Sequence, residues 1–132
     1  MRHPKVLAWE RRLKQVFRQI DHRLESEYGD RYRLHPARPE EGHTANPTHD
    51  GLFNIGASFS GGFGSKHGAG YVVNVHMATL ERVDAAVREE IEQRVAAELA
   101  AELPKAFPDR DLQVSRDGHT FKIHGDLSLG SA

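Results

Sequence analysis

The chain has 132 residues, no cysteine, 28% charged side chains and a formal net charge of -1. That length supports one hydrophobic core and falls short of two comfortable domains, so a single domain over 1–132 is expected. The near-neutral balance argues against a chain-wide electrostatic footprint for nucleic acid, and the missing thiols exclude a disulfide framework, a cysteine nucleophile and a cysteine metal site. The opening MRHPKVLAWERR lacks an uninterrupted apolar core, and no apolar run approaches bilayer-spanning length. A soluble protein in a reducing cytoplasm, with no membrane partner, is therefore expected.

From residue 5 to 28 the apolar residues Val6, Trp9, Leu13, Val16, Phe17, Ile20, Leu24 and Tyr28 recur at three and four, which is one helical face. Pro4 suits a first turn and Gly29 a stop. The opposite face is basic, with Lys5, Arg11, Arg12, Lys14, Arg18 and Arg23, and Glu10 stands four before Lys14 as an ion-pair candidate. Such a face is either a phosphate-binding or membrane-surface patch, or the solvated side of an amphipathic helix. The following segment, 29–50, carries Pro36, Pro39 and Pro47 without periodicity and is expected to be irregular. Its His35, His43 and His49, with Asp50, have no paired ligand spacing, and solvated histidines are the simpler expectation.

Residues 51–80 hold one formal charge, Lys66. Phe53, Ile55, Ala57 and Phe59 alternate with Asn54, Gly56, Ser58 and Ser60, and Tyr71, Val73, Val75 and Met77 alternate with Val72, Asn74, His76 and Ala78. Period two on both sides predicts a hairpin with one apolar face and one small, polar, uncharged face. Its connection, SGGFGSKHGAGY, is far longer than hairpin closure needs. Clustered glycines let backbone N–H groups turn toward one point, and with the Ser60 and Ser65 hydroxyls, the Lys66 ammonium and His67 they would make an anion site. Asn74 and His76, on the polar strand face, extend that candidate site, and His76 could act as a base or ligand donor. The P-loop pattern does not fit, because Ser65 precedes Lys66 and His67 follows it. GAGYV resembles the glycine-aromatic core of the RNA-recognition strand motif, without its basic residue, its other stacking aromatics or a leading strand.

A second helix is expected from an N-cap at Thr79 or Asp84 to about Leu103, stopped by Pro104. Val83, Val87, Ile91, Val95, Leu99 and Leu103 form its apolar stripe, and its outer face is acidic, with Glu90 and Arg94 as an ion-pair candidate. A basic first helix and an acidic second one could lie side by side. Leu112 and Val114 then begin a second hairpin, turned at Asp117-Gly118, which would set Phe121 and Ile123 beside Val114 and Leu112.

The order αββαββ predicts an α+β two-layer sandwich, a four-stranded antiparallel sheet with two helices on one face. The second helix is expected to pack on the first hairpin. The leading functional reading is a small binding domain that holds an anionic, phosphorylated small ligand at the glycine-rich loop, through Ser60, Ser65, Lys66, His67, Asn74 and His76. Rival readings are a homo-oligomeric interaction protein whose uncharged sheet face is the subunit contact, and an RNA-binding module using Lys66, Phe63 and Tyr71 with the basic helix. No cofactor or metal is expected, and no residue is assigned to catalysis.

Overall fold

Apolar residues returning every three or four positions make a helix that must bury one stripe. In the structure, a computed structural model that describes residues 4–34, 36–37, 51–61, 68–118 and 120–125, this helix is α1, Pro4–Tyr28. Trp9, Leu13, Val16, Phe17, Ile20, Leu24 and Tyr28 are all buried. The Gly29 N–H closes the helix on the Glu25 carbonyl at 2.9 Å. A Cβ at Gly29 would meet that oxygen at 2.5 Å, so glycine is required by space.

Period-two alternation gives the strands β1, Phe53–Ser60, and β2, Gly70–Met77, paired antiparallel from Phe53↔Met77 to Ser60↔Gly70. After them come α2, Ala85–Ala106, and then β3, Leu112–Asp117, and β4, Thr120–Gly125. The sheet order is β1-β2-β4-β3, antiparallel throughout. The architecture is the expected α+β sandwich in the order αββαββ. Phe53, Ile55, Val73, Met77 and Ile123 from the sheet join Ile91, Val95, Leu99 and Leu103 of α2 and the α1 stripe in one core.

Four local expectations are corrected. Pro104 lies inside α2 rather than ending it. A proline in the last turn removes one intrahelical bond, and the burial of Leu103 and Phe107 on either side outweighs that loss. The Phe107 N–H then bonds the Leu103 carbonyl at 2.8 Å, and its ring packs 4.3 Å from that of Trp9. Thr79 does not cap α2. Its hydroxyl donates to the Arg33 carbonyl at 2.6 Å and accepts from the Glu81 N–H at 3.1 Å, beside a bridge that pairs Leu34 with Thr79. Asp84 is the N-cap, without a side-chain cap bond.

The second hairpin turns one residue later than the Asp-Gly signal implies. Asp117 pairs with Thr120 and is therefore a strand residue, and Gly118, at φ 66°, follows it in the turn. Val114 consequently faces Ile123, and Arg116 faces Phe121. The shift in pairing is two residues, which keeps every side chain on its intended face. The fourth correction concerns layers: α1 packs on β1, and α2 on β3. Tyr28 meets Phe53 edge-on at 6.3 Å, while Trp9 lies 5.8 Å from Tyr71, whose strand partner is Phe59. The helix therefore runs antiparallel to β1 along its length.

Candidate functional site

The residues expected to bind an anion divide between two situations. Ser65, Lys66 and His67 lie outside the described residues, as do His35, His43 and His49. Ser60, Asn74 and His76 share the outer sheet face, but the register sets Ser60 opposite Gly70, Asn74 opposite Gly56 and His76 opposite Asn54. At a strand rise of about 3.4 Å per residue, Asn74 is ~13 Å and His76 ~20 Å from the level of Ser60. Asn74 and His76 are exposed, and the Asn74 amide donates to the Val72 carbonyl at 3.5 Å.

The same face contains a cation that the pattern of residues 51–80 could not reveal. Lys122, in β4 beside Val72 and Ser115, is 1% exposed. Its ammonium donates to the Gly68 carbonyl and lies 3.5 Å from an Asp117 carboxylate oxygen. The first residue of β2 approaches β4 closely enough that a Cβ on Gly70 would lie 2.4 Å from the Ile123 carbonyl oxygen. Nearby, His124 Nε2 and Ser115 Oγ are 2.8 Å apart. Lys122 thus ties β4 to the residues that lead into β2. Its signal in the sequence was a lysine on the outer row of TFKIHG, a strand whose central position only the sheet order discloses.

A cleft of about 480 Å³ lies elsewhere, between α1 and the edge strand β1. Helical spacing explains which residues reach it. Leu7, Arg11, Lys14, Arg18, Asp21 and Glu25 recur at four and three, a single stripe along α1. All but Glu25 line the cleft, together with Glu10, Leu13 and Phe17. Ile55, Ala57 and Tyr71 of the hairpin supply its other apolar wall.

The charges of this cleft are unevenly disposed. Asp21 is 8% exposed and Glu10 half-buried, whereas Arg11, Lys14 and Arg18 are exposed. The three cations form no ion pair with any described residue, so the Glu10–Lys14 pair expected from spacing does not form. The opposite flank of α1 behaves differently. Arg23 bonds Glu98 and Glu102, Arg94 reaches across to Glu27 at 2.6 Å, and the Arg12 guanidinium donates to the Ala106 carbonyl at 2.9 Å. Arg94 also takes Glu98 at 3.2 Å instead of Glu90, which accepts the Tyr28 hydroxyl at 3.0 Å. Partial burial pushes the Glu98 carboxyl up, but the hydrogen bonds and charges of Arg23 and Arg94 outweigh it and hold the group below its usual range.

The edge of β1 completes the cleft. The Ala78 N–H bonds the Leu52 carbonyl at 2.7 Å, and antiparallel pairs alternate between bonded and non-bonded. Asn54, Gly56 and Ser58 therefore spend their backbone groups on β2, while Phe53, Ile55 and Ala57 turn theirs outward. The Phe53 N–H is taken by the Glu25 carboxylate at 2.8 Å.

A family described as "Uncharacterised protein" matches residues 4–125. The chain belongs to that family. An "Uncharacterized protein" of Borreliella burgdorferi (strain ATCC 35210 / DSM 4680 / CIP 102532 / B31) is 37% identical over 106 residues, covering 80% of this chain and 83% of that relative. No solved structure is significantly similar. The family's span begins where α1 begins and ends where β4 ends, so it takes in both walls of the cleft.

Among the described residues no helix is long and apolar enough to cross a membrane, and no group of three or more acids or histidines could hold a metal ion.

Proposed function

We propose that this protein is a small binding domain for an amphipathic anion, a ligand with an apolar body and a carboxylate or phosphate group, held in the cleft between α1 and β1. The observation that carries this is the placement of three exposed cations without ion pairs to any described residue, Arg11, Lys14 and Arg18, along a concave site walled by Leu13, Phe17, Ile55, Ala57 and Tyr71. Ligand sites are typically concave, mostly apolar and supplied with a few oriented polar groups. An anion at the rim would meet guanidinium and ammonium donors, whose charge-assisted bonds contribute about 1.5 to 3 kcal/mol each.

The test is thermal stabilisation by octanoate and octyl phosphate, compared with octanol and inorganic phosphate, which each offer half of the ligand. Stabilisation by the two amphipathic anions, lost in a variant carrying Arg11→Ala, Lys14→Ala and Arg18→Ala, is expected. Equal stabilisation of that variant, or none of the wild type, would overturn the reading. Lys66→Ala in the same screen tests the glycine-rich connection as an additional anion site.

Self-association is a second reading, favoured by the uncharged β1-β2 part of the outer sheet face, on which Asn54, Ser58, Asn74 and His76 are exposed. Its measurement is solution mass by light scattering, with Asn74→Lys expected to return any oligomer to monomer.

A further inference from the structure

Among the described residues, no strand pairs with the outer edge of β1. Its sequence, FNIGASFS, holds no charge and no proline, and the opposite edge strand, β3, carries both Arg116 and Asp117. Proteins commonly blunt edge strands with lysine, proline, bulges or a covering element, because unpaired N–H and C=O groups accept another strand. Among the described residues, the Phe53 N–H alone of the outward N–H groups meets a side-chain acceptor, the Glu25 carboxylate of the helix stripe. One turn further along the stripe the acids end and the cations begin.

We infer that the ligand of the cleft is an extended acidic peptide that adds as a fifth strand to the outer edge of β1, pairing with the backbone of Ile55 and Ala57 and setting its acidic side chains against Arg11, Lys14 and Arg18. The inference rests on the cleft being the ligand site and specifies the class of its occupant. Strand addition draws affinity from main-chain hydrogen bonds and specificity from pockets for alternate side chains. Both components are present. The outward groups of Ile55 and Ala57 sit in the cleft lining, and the apolar wall of Leu13, Phe17 and Tyr71 lies beneath them.

Spacing supports the match of charge. Lys14 and Arg18 are four residues apart on a helix, a rise of about 6 Å. Alternate residues of a strand are separated by about 6.8 Å. A peptide with acids at alternate positions therefore presents carboxylates at nearly the interval of Lys14 and Arg18, with Arg11 about 4.5 Å beyond Lys14, and lays their methylene stems on the apolar wall while its intervening side chains face the other way. Because α1 runs antiparallel to β1, Glu25 stands at the Phe53 end and the cations follow toward the Phe59 end. Glu25 thus closes one end of the free edge to an incoming strand, and like-charge repulsion from it favours seating the peptide's acids beyond Asp21. A second copy of this chain is the poorer occupant: of its two edge strands, β1 has no acid for the three cations, and β3 sets Arg116 beside its single acid, Asp117, which already lies against Lys122.

The experiment uses a short fluorescent peptide alternating glutamate and valine, titrated by anisotropy into the full chain at neutral pH. Three comparison peptides accompany it: the same sequence N-methylated at alternate residues, the lysine-valine counterpart, and the scrambled acidic composition. Binding of the glutamate-valine peptide, weakened roughly tenfold to a hundredfold by Arg11→Glu with Lys14→Glu and Arg18→Glu, and absent for the N-methylated and lysine forms, is the expected result. Ala57→Pro removes one outward N–H while sparing the ladder to β2, and it should weaken the peptide at least about tenfold, as proline is tolerated on edge strands. Equal binding of the N-methylated and parent peptides would overturn strand addition. Failure of every peptide while octyl phosphate still binds would overturn this inference and leave the cleft reading standing. Failure of peptides and octyl phosphate alike would remove both. A dimer whose mass is halved by Ala57→Pro would assign the edge to a second copy and overturn the inference as well.

Discussion

The two flanks of α1 carry the same kinds of residue and put them to different uses. Toward α2, Arg23 meets Glu98 and Glu102, and Glu27 meets Arg94. Toward β1, Arg11, Lys14 and Arg18 face a strand with no charge at all. The helix did not choose between these uses; its neighbours did. A basic helix face is a structural feature where the adjacent element supplies acids, and it is available to a ligand where the adjacent element supplies none. Mutations that separate the flanks from one another, and from the core beneath both, therefore test the reading of the molecule.

The largest effect is expected where neither flank is involved. Ile20 is 0% exposed between them, so Ile20→Ala should destabilise by about 2 to 5 kcal/mol through lost burial and a residual cavity. Urea unfolding measures this. A loss under about 0.5 kcal/mol, the range of surface substitutions, would mean that α1 does not pack as described.

Next comes Glu25, which belongs to the β1 flank yet serves the fold. It is 9% exposed and accepts the buried Phe53 N–H at 2.8 Å. Glu25→Ala leaves that donor without its acceptor, which should cost about 1 to 3 kcal/mol. Glu25→Gln keeps a carbonyl oxygen at the same place and should recover most of the loss. If glutamine proved as damaging as alanine, the charge rather than the acceptor would matter, and the carboxylate would belong with the binding charges of the cleft.

How far these roles could be read in advance varied with the range of the interaction. Both helices and both hairpins were legible, because periods of 3.6 and 2 are local and the buried side chains follow them: Phe53, Ile55 and Val73 point inward as alternation requires. The register of the second hairpin differs by two residues from the one that a turn at Asp117-Gly118 implies, because Asp117 pairs with Thr120 as a strand residue. The cleft was not legible. Its stripe on α1 looked like one continuous basic face with Arg12 and Arg23, and only packing shows that those two turn toward α2. Lys122 was likewise hidden, because its burial depends on β4 lying between β2 and β3. Helix spacing reports which residues share a stripe. It does not report which neighbour each stripe meets.

A smaller effect is expected on the paired flank, and pH discloses it. Glu98 is held below the usual carboxylate range by Arg23 and Arg94 against the opposing effect of partial burial. A carboxyl depressed in the folded state binds fewer protons there than in the unfolded chain. Its contribution is therefore present above the unfolded-state value and is lost as pH falls through the folded-state value. Glu98→Gln should lower Tm modestly at neutral pH, with the gap from wild type closing in acid below the ordinary carboxylate range. Salt should narrow the gap too, as the partners are partly exposed. A gap that persisted in strong acid would trace the effect to packing instead of charge.

The smallest effect on folding is expected at the unpaired flank, and there the smallness is informative. Arg11→Ala, Lys14→Ala and Arg18→Ala remove three exposed side chains that hold no described acid, so Tm should move by no more than ~2 °C. Relief of repulsion among three neighbouring cations could even raise it. In this same variant the amphipathic anions should lose their stabilising effect, and the salt sensitivity of wild-type binding should disappear with it. A site kept for binding is recognised by that dissociation, in which stability stays and affinity goes. If the triple variant unfolded readily, the cations would be holding the fold as Arg23 does, the two flanks of α1 would be alike, and the cleft would lose its claim to a ligand.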